Sequence, residues 1–435
     1  MSAAQLFALA VFLIAYALIA TERVHKVTAA LAGAGVMLAF GVTDGQTAFH
    51  SDEAGIDWNV IFLLLGMMII VGVLRQTGLF EFLAIAAAKR ARGRPYAVLV
   101  LLCVITAGAS ALLDNVTTVL LIAPVTFLVC DQLGLRPAPY LVAEVLASNI
   151  GGTATLIGDP PNIIIASRSG LTFNDFLIHL APFIALLMVV FVLVCRWLFA
   201  SAYRCDPQRV AEVMALSERE AIRDPKLLAQ SLVVLALVLA GFVLHSVLHA
   251  EPSVVALLGA GVLVLISRVT TDEALADVEW ATLVFFMGLF VMVGALVNAG
   301  IIARVSHALV EATGGRLLAA TMLVLVASAV LSAVVDNIPY VATMAPIVED
   351  LVAGAGGLEH AQVLWWSLAL GADLGGNATA VGASANVVML GLAARSGTPV
   401  TFWEFTRYGL VVAALSILLA APYLWLRYFV MAATW

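Results

Sequence analysis

Apolar runs near membrane-spanning length recur along the whole 435-residue chain, broken by short polar punctuation. They predict crossings near 4–20, 27–42, 58–75, 140–167 and 174–199, then 228–249, 253–267, 280–298, 363–394 and 405–430. Two further apolar stretches, 96–130 and 318–349, carry Asp114-Asn115 and Asp336-Asn337 at their middles. Irregular polar backbone at membrane depth survives only where protein or water lines it, so these two stretches are read as re-entrant hairpins. The expected fold class is an all-α polytopic membrane protein of about ten transmembrane helices.

The pattern repeats. A shift of 222 positions superimposes Trp58 on Trp280, Gly66 on Gly288, Gly72 on Gly294, Gly78 on Gly300, Ser110 on Ser332, Asp114-Asn115 on Asp336-Asn337 and Pro124 on Pro346. With two residues inserted, "SNIGGTATLIGDPPN" lies over "ADLGGNATAVGASAN", pairing Gly151-Gly152 with Gly375-Gly376, Thr155 with Thr379 and Asn162 with Asn386. Five crossings in each half is an odd number, so the halves run in opposite directions, giving inverted-topology repeats. The expected division is a first repeat over 1–200, a cytoplasmic linker over 201–227 and a second repeat over 228–435.

Composition places the chain in a membrane and excludes little else: 63% of residues are hydrophobic and 11% charged. The placement of cations orients it, because this topology puts 17 of the 21 basic residues on one face and leaves Arg168, Arg304, Arg316 and Arg427 on the other. The chain is therefore expected in the cell (inner) membrane with both termini outside. Nothing points to nucleic acid. The four cysteines, 103, 130, 195 and 205, have no metal-ligand spacing, and no glycine pattern of a phosphate loop precedes any lysine, so no metal, cofactor or enzymatic activity is expected. Transport would be driven by an ion gradient, H+ or Na+, or by an ATPase partner subunit.

The candidate chemistry sits in the breaks. A helix interrupted by Gly-Gly-x-x-Thr-x-x-Gly exposes N–H and C=O groups that bind an anion or a cation. Opposite each hairpin tip, such a break forms one wall of a polar pocket. The candidate binding residues are Asp114, Asn115, Thr117, Asn149, Gly151, Gly152, Thr155, Asp159 and Asn162 in the first half. In the second they are Asp336, Asn337, Asp373, Gly375, Gly376, Asn377, Thr379 and Asn386. Asp114 and Asp336 are symmetric, whereas Asp373 aligns with Asn149, Asp159 with Ala383 and Glu144 with Leu368. No lysine or arginine is expected at their depth, so these acids would be protonated, cation-bound or wet. Asp159, before Pro160-Pro161, could equally bracket a turn, and Glu144 is read as near enough to the interface to be solvated. The basic cluster Lys89, Arg90, Arg92 and Arg94 reads as an interfacial helix, matched on the other face by 301–316, the two serving as arms between a static and a moving unit. His245 and His249 share a helical face near the outer interface, and Trp403, Trp425 and Tyr428 suit an aromatic belt.

"DNVTTVLLIAPVT" (114–126), "AEVLASNIGGTATLIGDPPN" (143–162), "VEWATLVFF" (278–286), "DNIPYVATMAP" (336–346) and "LGGNATAVGASANVV" (374–388) resemble the ion transporter superfamily, most closely its bacterial arsenite permeases (ArsB-type) and the melanosomal P protein. The superfamily also contains NhaD-type sodium/proton antiporters and sodium-coupled carboxylate carriers. The resemblance implies a scaffold, an elevator-like transport domain and homodimerisation through the scaffold. The carboxylate carriers have Ser-Asn-Thr at their tips, where this chain has Asp114-Asn115-Val116 and Asp336-Asn337-Ile338. The expected function is export of a small inorganic solute, most simply arsenite or antimonite in exchange for protons. Sodium/proton antiport, an anion channel and carboxylate symport are the alternatives.

Overall fold

The structure, a computed structural model, describes every residue except Glu22, Asp52, 204–217 and 432–435. Most of the expected linker, with Cys205 and Arg209, lies outside the described residues. What is described is helical, with no strand.

Apart from short helical turns, the helices fall into two parallel series. In the first, α1 (Ala3–Ala20), α2 (Lys26–Ala39) and α3 (Trp58–Gln76) precede a surface arm, α4 (Leu79–Arg90). A hairpin of α5 (Pro95–Ser110) and α6 (Asn115–Leu133) follows, then a broken helix of α7 (Pro137–Gly152) and α8 (Pro160–Ser169), then α9 (Ala181–Leu198). The second series repeats the order: α10 (Pro225–Val243), α11 (Pro252–Ile266), α12 (Trp280–Asn298), the arm α13 (Ile301–Thr313), the hairpin α14 (Leu317–Ser332) and α15 (Asn337–Gly354), the broken helix α16 (Val363–Gly375) and α17 (Ser384–Arg395), and α18 (Phe402–Trp425). Seven described helices are long and apolar enough to cross a membrane by themselves. Six of them match expected crossings and the seventh, α6, belongs to the first hairpin; the stretches expected as the other four crossings are short helices, α2 and α11 with 14 and 15 residues, or helices broken into two halves.

Local chemistry explains where helices stop. Gly78 (φ 82°) and Gly300 (φ 69°) take the left-handed conformation that turns each third helix into its arm, and between α13 and α14 the axis swings by 118°. Asp57 and Thr401 cap α3 and α18 by accepting from the amides of Val60 and Glu404. Prolines open α7, α8, α10 and α11 at positions whose amides have no intrahelical partner. The first hairpin is tied to the broken helix that follows it, the Tyr140 hydroxyl of α7 donating to the Pro95 carbonyl that opens α5, at 3.2 Å.

The two series are interleaved. α2 packs on α12, and its counterpart α11 packs on α3. Glycine permits the contact each time: a Cβ on Gly66 would stand 2.7 Å from the Ala256 carbonyl carbon, and one on Gly288 would stand 2.9 Å from that of Ala30. Ala30 and Ala256 are themselves equivalent, through "AGAGV" (32–36) and "LGAGV" (258–262). The hairpins and broken helices form a second body in which α8 lies on α15 and α17 lies on α6, so each half-helix after a break packs against the other series' hairpin.

Candidate functional site

Each break is a backbone-to-backbone joint. A Cβ on Gly152 would lie 2.6 Å from the Gly158 carbonyl oxygen, and one on Gly158 would lie 2.5 Å from that of Gly152 and 2.6 Å from that of Ser110. Gly376, Gly382 and Ser332 repeat the arrangement. The threonines tie the joint to the hairpin: Thr155 Oγ1 donates to the Ala111 carbonyl and Thr379 Oγ1 to that of Ala333, both at 2.5 Å. These hydroxyls therefore brace the tips instead of pointing into a pocket. Gly151 and Gly375 likewise sit against the backbones of Ala107 and Ala329, where they allow helices to approach.

Asparagines close the joints. Asn162 Nδ2 donates to the carbonyls of Thr153 and Thr155 at 3.4 and 3.0 Å, and Asn386 Nδ2 donates to those of Gly376 and Thr379 at 2.9 Å each. The carbonyls freed by breaking the helix are thus satisfied by side-chain amides, as burial in protein demands.

Between the joints lies one continuous polar network drawn from both series. Asn115 Nδ2 donates to Asn149 Oδ1 (3.1 Å) and to Asp159 Oδ2 (3.0 Å). Asn337, from the other hairpin, donates to both Asp159 oxygens at 3.3 and 3.4 Å. Asn149 Nδ2 then donates to Asn377 Oδ1 (2.9 Å) and Asn386 Oδ1 (3.0 Å). All of these side chains are buried. Asp159 does not cap α8 but holds the two hairpin tips together through their asparagines. Its counterpart Ala383 has no such group, so the sole carboxylate in the network comes from the first series.

Asp373 stands beside this network. Its two oxygens and Asn162 Oδ1 are buried with no hydrogen bond of ordinary geometry, although Thr153 and Asn162 are its polar neighbours. A carboxyl proton shared with Asn162 Oδ1, or a small cation, would satisfy both groups.

The remaining candidates fall elsewhere. Asp114 caps α6 by accepting from the Thr117 amide at 2.8 Å, and Asp336 caps α15 by accepting from the Ile338 amide at 3.3 Å; neither joins the asparagine network. Thr117 serves Asp114 through that backbone amide and its side chain, and does not join the asparagine network. The expectation of no cation near the acids fails at Asp336: Lys26 Nζ lies 3.7 Å away and donates to Ser384 Oγ at 2.9 Å, and Ser384 in turn donates to Asp336. Lys26 opens α2, and that N-terminal end of the helix lies at the second hairpin's tip. Its one signal in the sequence was a lysine at the edge of an apolar run. Glu144 is not solvated either, being buried and accepting from Thr126 Oγ1 at 2.6 Å. Tyr428 is half-buried, its ring stacked on His179, which stacks on Trp366. His245 and His249 do not form a helical pair, since His249 takes a left-handed φ of 52° past a four-residue turn; both line a cavity with Glu251.

The family model described as citrate transporter (CitMHS) matches residues 16–371. An uncharacterised transporter of Mycobacterium tuberculosis is 59% identical over 98% of this chain and 99% of its own length. The P protein of Homo sapiens is 34% identical over 94% of this chain, which spans 58% of that protein. Among solved structures, the YdaH transporter of Alcanivorax borkumensis superimposes with a TM-score of 0.64 at 15% identity, covering 94% of this chain and 97% of that one. MtrF of Neisseria gonorrhoeae, described within a class of antimetabolite efflux pumps, does so at 0.59 and 13%, covering 92% and 85%. At such identities the likeness establishes the fold.

Proposed function

The chain belongs to the citrate transporter (CitMHS) family and is a secondary transporter; from that premise we propose that it exports a small, hydroxylated inorganic solute, arsenite or antimonite being the simplest, in exchange for protons. The observation that carries this reading is the buried network of asparagines around Asp159. Carboxamides offer donors and acceptors but no net charge, which suits an uncharged ligand such as As(OH)3. Among the described residues no lysine or arginine hydrogen-bonds to the network, and a tricarboxylate placed there would face both Asp159 and Asp373. Such an anion would need cations that the site does not supply.

Asp159 and Asp373 would carry coupling protons in the network, with Asp336, alone of the symmetric pair, as a further carrier at the hairpin tip. The body of hairpins and broken helices would move past the α1–α3 and α10–α12 bundle, presenting the network to each face in turn. Sodium/proton exchange is the second reading, favoured by the converging oxygens of Asp373 and Asn162. Against it, the carbonyls at both breaks already accept from Asn162 and Asn386, leaving fewer oxygens for a bare cation.

Purified protein in liposomes with an internal pH dye and an imposed pH gradient separates these readings. Arsenite-evoked proton movement that disappears in Asp159→Asn supports metalloid efflux. A response to sodium alone replaces it with sodium/proton exchange, and silence to both removes the proposal.

A further inference from the structure

Two cavities lie where the bundle meets the hairpin body, and they are pseudo-symmetric. The inner one, about 350 Å³, is lined by Ile19, His25, Lys26, Asp336, Ser384 and Val387 among others. The outer one, about 440 Å³, is lined by His245, Glu251, Pro252, Leu156, Ile163 and Ser167 among others. The register of "AGAGV" on "LGAGV" places Lys26 over Pro252 and His25 over Glu251, and the break register places Ser384 over Pro160. The cavities differ in reach: the inner one touches the hairpin-tip acid Asp336, whereas Asp114 does not line the outer one.

We infer that Lys26 is a tethered counter-cation that holds the transporter open toward its own face and occupies, through its ammonium, the site at Asp336 and Ser384 that a coupling proton or monovalent cation takes when the tip moves away. The inference rests on the alternating-access reading above. Lys26 belongs to the bundle and Asp336 to the hairpin body, so any sliding of one past the other parts them. In this state the carboxylate is matched: Lys26 lies 3.7 Å away, Ser384 donates to Asp336, and the pair is largely shielded, with side chains 28% and 15% exposed. The Lys26 ammonium also lies over the Phe285 ring at 5.2 Å, so its position is set from the bundle side. Once parted, a bare carboxylate at this depth is unfavourable, and Asp336 must bind a proton or cation before it travels. Return reverses the exchange, because the ammonium takes back the site. The other titratable groups facing this point are His25, Tyr16, Tyr340, Glu279 and, from the network side, Asp159; Glu279 is the further acid within electrostatic reach of Lys26, and Asp159 the one within reach of Asp336. At the outer cavity Pro252 stands in the register of Lys26, and Pro160, in the register of Ser384, does not line it, so the device works on one face.

The test uses full-length protein in a background lacking the native cysteines, with Val387→Cys reporting the inner cavity and Ser167→Cys the outer, each labelled by maleimide in detergent. Lys26→Met should slow labelling at 387 by about fivefold and speed it at 167, while Lys26→Arg should leave both rates near wild type. Asp336→Asn should give the same shift, and the double substitution should add nothing. Equal labelling in Lys26→Met and Lys26→Arg, in protein of unchanged thermal stability, would overturn the counter-cation role. If the two rates never move in opposite directions, even when arsenite or acid is added to protein with Lys26 intact, alternating access itself fails and this inference with it.

Discussion

At the first hairpin tip Asp114 turns its carboxylate onto the Thr117 amide and, among the described residues, meets no lysine or arginine; at the second, Asp336 caps Ile338 and also faces Lys26 and Ser384. The backbones at these tips are copies, down to the threonine bonded to the carbonyl at each turn. Duplication preserved what local geometry requires, a cap and a glycine joint, and left charge free to diverge. The breaks show the same split, with Asp159 over Ala383 and Asn149 over Asp373. A protein symmetric in fold can therefore bind one ligand asymmetrically and respond differently to its two sides.

The largest effect should come from the acid without a twin. Asp159→Asn keeps the size of the side chain and removes the carboxylate that accepts from Asn115 and Asn337, and solute-driven proton flux should fall by on the order of 100-fold. An unchanged flux would return the proton to the symmetric pair. Next, Asn149→Ala strips the amide that bridges Asn115 to Asn377 and Asn386, leaving buried partners unsatisfied, and should lower stability by about 1–3 kcal/mol in a thermal unfolding assay.

Gly288→Ala should cost a similar amount, about 1–3 kcal/mol, because its Cβ meets the Ala30 backbone, whereas Gly35→Ala, with open space around it, should stay within about 0.5 kcal/mol. Smaller again, Pro252→Lys combined with Pro160→Ser would copy the second tip's partners onto the first. Maleimide labelling at position 167 should then rise by a few-fold, and no change would mean that the copied side chains cannot reach Asp114. The smallest effect is expected where Arg168→Gln loses the 3.8 Å pairing with the half-exposed Glu349 and the hydrogen bond to the Glu53 carbonyl, and it should alter flux by less than about twofold.

Much of this architecture was legible in the chain. The matched glycines, the Asp-Asn pairs and the doubled Gly-Gly-x-x-Thr-x-x-Gly segment each mark a backbone event that few other residues permit, so they survive as a pattern. What was not legible depends on register between distant helices. That Thr155 and Thr379 brace the tips, that Gly151 and Gly375 serve packing, and that Asp159 bonds both hairpins are facts about contacts across tens or hundreds of residues. Lys26 was hidden for a related reason: hydropathy places it at the edge of a span, but only the packing of α2 among distant helices brings it to Asp336. Glu144 looked interfacial by position, and the hydroxyl of Thr126, eighteen residues earlier, gives it a buried partner.

The exchange of helices between the two series also sets a schedule for biosynthesis. α3 cannot bury Gly66 until Ala256 has been made, and at ribosomal speeds of about 5–20 residues per second that interval is roughly 10–40 s. During it the first half must sit in the bilayer with a glycine-notched face turned toward lipid, unable to complete its fold. A truncated product ending before α11 should consequently be a target for membrane proteases, even though it contains a whole repeat.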